Sequence, residues 1–120
     1  MARTELTVHA LDERNTFATA FGTLEQAVDA DDGAEFEMSE RDDKYLVLVH
    51  NSANAAQDVT VKSGNGLQGT GDITASLAAS SYTFISLESG RFKNVSGADK
   101  GKVVITGGSA DIKVAVFKLP

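Results

Sequence analysis

The chain has 120 residues, no cysteine and one proline at its last position, with 42% hydrophobic and 23% charged residues, a balance that belongs to a folded domain rather than a disordered one. Its charge of −6 is divided unevenly: residues 1–43 hold 12 acids against 3 bases, and residues 44–120 hold 5 acids against 8 bases. Zero cysteines exclude disulfides, thiolate metal sites and cysteine nucleophiles, and an acidic chain is a poor binder of phosphate backbones, so no nucleic-acid partner is expected.

The first residues, Met-Ala-Arg-Thr-Glu-Leu-Thr, lack the apolar stretch of a secretory signal, and no later run approaches the ~20 apolar residues of a membrane helix. No membrane association is expected. Leu6 and Val8 then alternate with Thr7 and His9, a strand pattern. Phe17, Ala20, Phe21, Leu24 and Val28 fit helical spacing with Asn15 or Thr16 as cap, yet Gly22, Thr19 and Thr23 weaken a helix. Residues 16–28 are therefore either helical or an extended arm.

From residue 29 onward the dominant period is two. Phe36 and Met38 alternate with Glu35 and Glu37, which predicts an exposed acidic face; Val59 and Val61 alternate with Asp58, Thr60 and Lys62; Ile73, Ala75 and Leu77 alternate with Thr74 and Ser76. Residues 44–51 and 111–118 are apolar on most of both faces and should be central strands. Residues 81–87 and 101–106 are β-branched strands of the same kind. Clusters of Gly, Asn, Asp and Ser at 29–33, 40–43, 51–56, 63–72, 94–101 and 107–110 separate them. The prediction is an all-β, single-domain antiparallel β-sandwich or barrel of about eight short strands, with residues 1–24 as a possible arm and 25–120 as the core.

Candidate chemistry is sparse. Gly64-Asn-Gly-Leu-Gln-Gly69 spells G-x-G-x-x-G, but a dinucleotide site needs a helix after it, and a strand pattern follows instead. Asp29, Asp31 and Asp32 before Gly33, with Glu40 eleven residues after Asp29, suggest a calcium loop. The glycine comes one position early, however, so an acidic turn is the expectation. His9 and His50 both fall on strands away from any nucleophile-elbow spelling, and His50 shares a face with Leu46 and Leu48. Asn94-Val-Ser96 reads as a loop rather than a glycosylation acceptor, and most of the eight aromatic residues as core. No catalytic, cofactor or metal site is expected, and no enzyme.

Three consecutive segments carry a resemblance: Asp29-Ala-Asp-Asp-Gly-Ala-Glu-Phe36, the strand Lys44-Tyr-Leu-Val-Leu-Val-His-Asn51, and Ser52-Ala-Asn-Ala-Ala-Gln-Asp-Val-Thr-Val-Lys62. With Gly-Arg-Phe-Lys-Asn at 90–94 and a closing Val-Ala-Val-Phe-Lys-Leu119, their order resembles small capsid decoration, or cement, proteins of tailed bacteriophages. The match is dense over 29–62; Ser52-Ala53 stands where that family commonly has Gly-Gly, and Leu87–Phe92 where it has a Gly-Pro-rich corner. The resemblance implies a non-enzymatic virion protein, assembled in the host cytoplasm, whose partner is the major capsid protein and which forms a homo-oligomer, a trimer being the form expected. On that reading the arm's Leu6, Val8, Phe17 and Phe21 are interface anchors, unless the arm folds onto its own sandwich. Oppositely charged halves suit head-to-tail contact between copies or with a basic shell. The rival expectation is a free-standing immunoglobulin-like or carbohydrate-binding module on a phage or bacterial surface, marked by exposed aromatic rings.

Overall fold

The computed structural model describes residues 3–11 and 24–120. Among them, ten strands form two sheets: β1 (Thr4–Glu5), β2 (Val8–Ala10), β3 (Gln26–Ala27), β4 (Ala34–Glu37), β5 (Tyr45–Asn51), β6 (Gln57–Val61), β7 (Ile73–Leu77), β8 (Ser81–Ile85), β9 (Lys102–Gly107) and β10 (Ile112–Lys118). One sheet runs β1-β4-β9-β6-β7 and the other β2-β10-β5-β8, with β3 also paired to β10. The all-β sandwich read from the period-two pattern is the fold. There are ten strands rather than about eight, because the stretch read as one strand at 6–9 is two and because β3 is added.

That split has a physical cause. The N-terminal segment lies along β4 in one sheet, then crosses to lie along β10 in the other, and both pairings are parallel. The sheets are therefore mixed rather than purely antiparallel, since a segment added beside a strand without a hairpin is free to run in its direction. At the crossing, Leu6 points between the sheets and is 7% exposed, with its N–H donating to the Glu35 carbonyl at 2.8 Å. One side of the sandwich is closed by this single piece of chain.

The core lies between the sheets. Phe36, Val59, Val61, Val103 and Ile105 project from the first sheet, and Tyr45, Val47, Val49, Ile112, Val114 and Val116 from the second. β5 and β10 pair over seven positions and occupy the interior of their sheet, as strands apolar on both faces should. On the outward face of β10, Ala115 and Phe117 are buried as well. The Tyr45 ring is buried, and its hydroxyl accepts the N–H groups of Ser39 and Glu40 at 3.1 and 3.0 Å, fixing the β4–β5 connection.

Asn51, at the end of β5, is fully buried among these apolar residues. Its Nδ2 donates to the carbonyls of Ala55, Leu77 and Ala78 at 3.0–3.1 Å, and its Oδ1 accepts the Ala53 N–H at 3.0 Å. One side chain thus ties the turn after β5 to the turn between β7 and β8. Buried amides are tolerated where every hydrogen-bonding group finds a partner, and here they do.

Candidate functional site

The sequence-derived sites resolve into structural devices. Leu6 belongs to the chain's own core and Val8 packs against it, so neither is presented outward as an anchor for a partner. Burying them between the sheets removes their apolar surface from water within the chain itself. Residues 3–11 of the expected arm are part of the sandwich. Phe17 and Phe21 lie outside the described residues. Over 25–28, the segment that fitted a helix or an arm includes strand β3, and Val28 is 1% exposed.

The acidic turn is closed on itself. Asp29 and Gly33 exchange backbone hydrogen bonds, and the Asp29 carboxylate accepts the N–H groups of Asp31 and Asp32 at 3.1 and 2.8 Å. Gly33 sits at φ +84° with its Cα against the Ile105 carbonyl, leaving no room for a Cβ. Among the described residues no three His, Asp or Glu side chains converge as metal ligands would. His50 bonds through Nδ1 to Glu25 Oε2 at 2.9 Å and stacks on Tyr82 with ring centroids 4.0 Å apart. The pair fixes the start of β3 to the sheet. His9 leans against Phe117 on the same outer face.

Glu35 is a correction to the exposed acidic face. It is 9% exposed, held by Lys102 at 2.6 Å and Arg3 at 3.4 Å, while Arg3 also reaches Asp99 at 2.9 Å. The bond to Asp99 is the main reason that the Arg3 guanidinium titrates above its ordinary value, and Glu35 raises the Lys102 ammonium in the same way. Because β4 pairs with β9, acids of the first half meet bases of the second inside one molecule. The uneven charge division is thus partly consumed within the fold. Glu37 remains exposed, as expected.

Among the described residues, the large apolar side chains left exposed gather in two places, with Leu119 apart from them near the C-terminus. At one end of the sandwich, the 63–72 loop interlocks with the 89–97 loop. Gly64 N–H donates to the Arg91 carbonyl, Asn65 Nδ2 to the Ser96 carbonyl, and Val95 N–H to Asn65 Oδ1, at 2.8–3.0 Å. The glycines of the G-x-G-x-x-G spelling serve this packing. Gly64 lies against the Lys93 carbonyl, Gly69 against that of Gly64, and Gly66 against Val95. Strand β7 follows where a pyrophosphate site would need a helix. The lock holds Leu67 wholly in solvent with Val95 53% exposed nearby.

The second place is the side of the sandwich opposite Leu6. There β7 ends one sheet and β8 ends the other, and the sheets gape to leave a cleft of about 130 Å³ lined by Val59, Ile73, Leu77, Thr83 and Ile85 among others. On the outward face of β8, Tyr82 and Phe84 are 57% and 63% exposed. Four of the six aromatic residues among those described are buried, so these two rings are the exception. Sequence reasoning missed them because alternation on an edge strand shows two faces without saying which is covered. No family model, curated protein or solved structure matches the chain.

Proposed function

We propose that the protein is a non-enzymatic structural component of a bacteriophage capsid, a decoration protein that attaches to the outer surface of the major capsid protein shell and stabilises it. The observation that carries this reading is the interlocked loop pair with Leu67 and Val95 at its tip. Leu67 and Val95 together offer apolar area for a partner to cover, and a backbone fixed by hydrogen bonds presents it without further ordering cost on contact. The order of motifs, which resembles that of cement proteins, supports the major capsid protein as partner, and a protein bound only to the intact shell shifts the balance against its rupture.

The test mixes purified protein with expanded, undecorated shells and counts bound copies. Wild type attaches stoichiometrically, while Leu67→Ser with Val95→Ser loses at least tenfold in occupancy at unchanged melting temperature. Equal occupancy of the double variant refutes the reading. Attachment abolished by 0.5 M salt would move the contact from the apolar tip to the charged halves. A second reading, an immunoglobulin-like or carbohydrate-binding module, is favoured by Tyr82 and Phe84, whose spacing of about 7 Å along one strand face suits a sugar platform. Binding of an oligosaccharide panel that quenches tyrosine emission would support it.

A further inference from the structure

We infer that the open side of the sandwich is a contact between two copies of this chain, in which β8 pairs antiparallel with β8 of a second copy about a two-fold axis at Thr83. This goes beyond shell attachment and uses a different surface.

The first ground is charge. Residues 73–87, which run from β7 in one sheet over to β8 in the other, contain no Asp, Glu, Lys or Arg in a chain that is 23% charged. Strand edges that must stay unpaired are usually guarded by charges, prolines or bulges. The opposite side follows that rule: Arg3 and Glu5 flank or lie on β1, His9 lies on β2, and Leu6 seals the gap. Among the described residues, β7 and β8 have no such guard. Two copies at −6 each repel, and this segment, the longest in the chain without a charged residue, lets them meet without opposing like charges.

The second ground is self-complementarity, which a two-fold contact requires. β8 reads Ser81-Tyr82-Thr83-Phe84-Ile85. Reversed about Thr83, each Tyr82 faces Phe84 of the second copy, so both exposed rings on each copy find an aromatic partner across the strands. On the inner face Ser81, Thr83 and Ile85 of one copy adjoin those of the other, and the mouth of the cleft between β7 and β8 is covered. The third ground is area. At about 200 Å² for a ring side chain, exposures of 57% and 63% leave about 240 Å². That is near a third of the ~800 Å² per partner of a standard interface, before the strand backbone, Thr74, Ala75, Ser76 and the turn at 78–80 are added.

Sedimentation equilibrium of the full chain tests this. Wild type is expected at twice the 12.6 kDa chain mass at ~50 μM. Phe84→Glu, at an exposed position, keeps the wild-type circular dichroism and weakens the dimer at least tenfold. Tyr82→Lys added to it restores the dimer, because opposite charges then face each other in both symmetric pairs. Thr83→Cys, in a chain with no other cysteine, cross-links to itself on mild oxidation, and Asp58→Cys does not. A monomeric wild type, a Phe84→Glu chain that dimerises equally well, or a double variant no tighter than the single one overturns the proposal. So does a monomer whose tyrosine emission responds to an oligosaccharide. Shell attachment measured on Phe84→Glu separates the two surfaces: loss of the dimer with shell binding retained supports both assignments.

Discussion

Replacing Asn51 with alanine removes the side chain that joins three backbone segments. Three carbonyls lose the Nδ2 donor and the Ala53 N–H loses its acceptor, in a place with no access to water at the side chain itself. At about 1 kcal/mol net for each hydrogen bond, the loss is about 3–4 kcal/mol. For a domain of this size that corresponds to a fall in melting temperature of about 12–16 °C. The assay is thermal and urea denaturation followed by far-ultraviolet circular dichroism, with Asn54→Ala, an exposed neighbour, expected within about 0.5 kcal/mol of wild type. Asn51→Leu separates hydrogen bonding from volume: it refills the space and still leaves the carbonyls unpaired. If leucine restores wild-type stability, or if alanine costs under 1 kcal/mol, the reasoning fails.

Leu6→Ala should cost about 2–5 kcal/mol as a core truncation, whereas Leu67→Ala, at a fully exposed site, should stay within about 0.5 kcal/mol; paired urea midpoints check both. Asp72 accepts the Ser63 N–H at 2.7 Å and the Lys62 ammonium at 2.9 Å, with the backbone bond the larger cause of a carboxyl pKa below its ordinary 3.8. A depressed pKa stabilises the fold above the unfolded value and ceases to do so as pH falls through the folded one. The stability gap between wild type and Asp72→Asn is therefore expected at pH 5–7 and should narrow as pH falls from 3.8 through the lower folded value; a gap that does not change across the acid range contradicts the assignment.

The strands at 44–51 and 111–118 were legible because a strand covered on both faces must be apolar on both, and that is a local property of the sequence. The acidic turn was legible for a similar reason, since Asp29 and Gly33 satisfy it from within five residues. Glu35 was not. Its alternation with Phe36 correctly placed it on the outer face, but Arg3 and Lys102, which cover it there, come from 32 and 67 positions away in the chain. Asn51 looked like the first residue of a turn, and its burial follows from the β7–β8 turn closing over it.

Composition and periodicity determined that this is a cysteine-free all-β chain with Phe36, Val59 and Val61 turned inward, because the side-chain period of a strand is fixed by its pleat. The tertiary structure decided where the remaining surface goes. Leu6 and Phe84 are both apolar residues in short strand-like stretches, and nothing in their neighbourhoods foretells that one is 7% and the other 63% exposed. The difference arises because the N-terminal segment crosses between the sheets and seals one side, whereas β7 and β8 end the two sheets on the other and, among the described residues, leave their edges open. Which edge is closed depends on strand order, and strand order is a property of the whole chain.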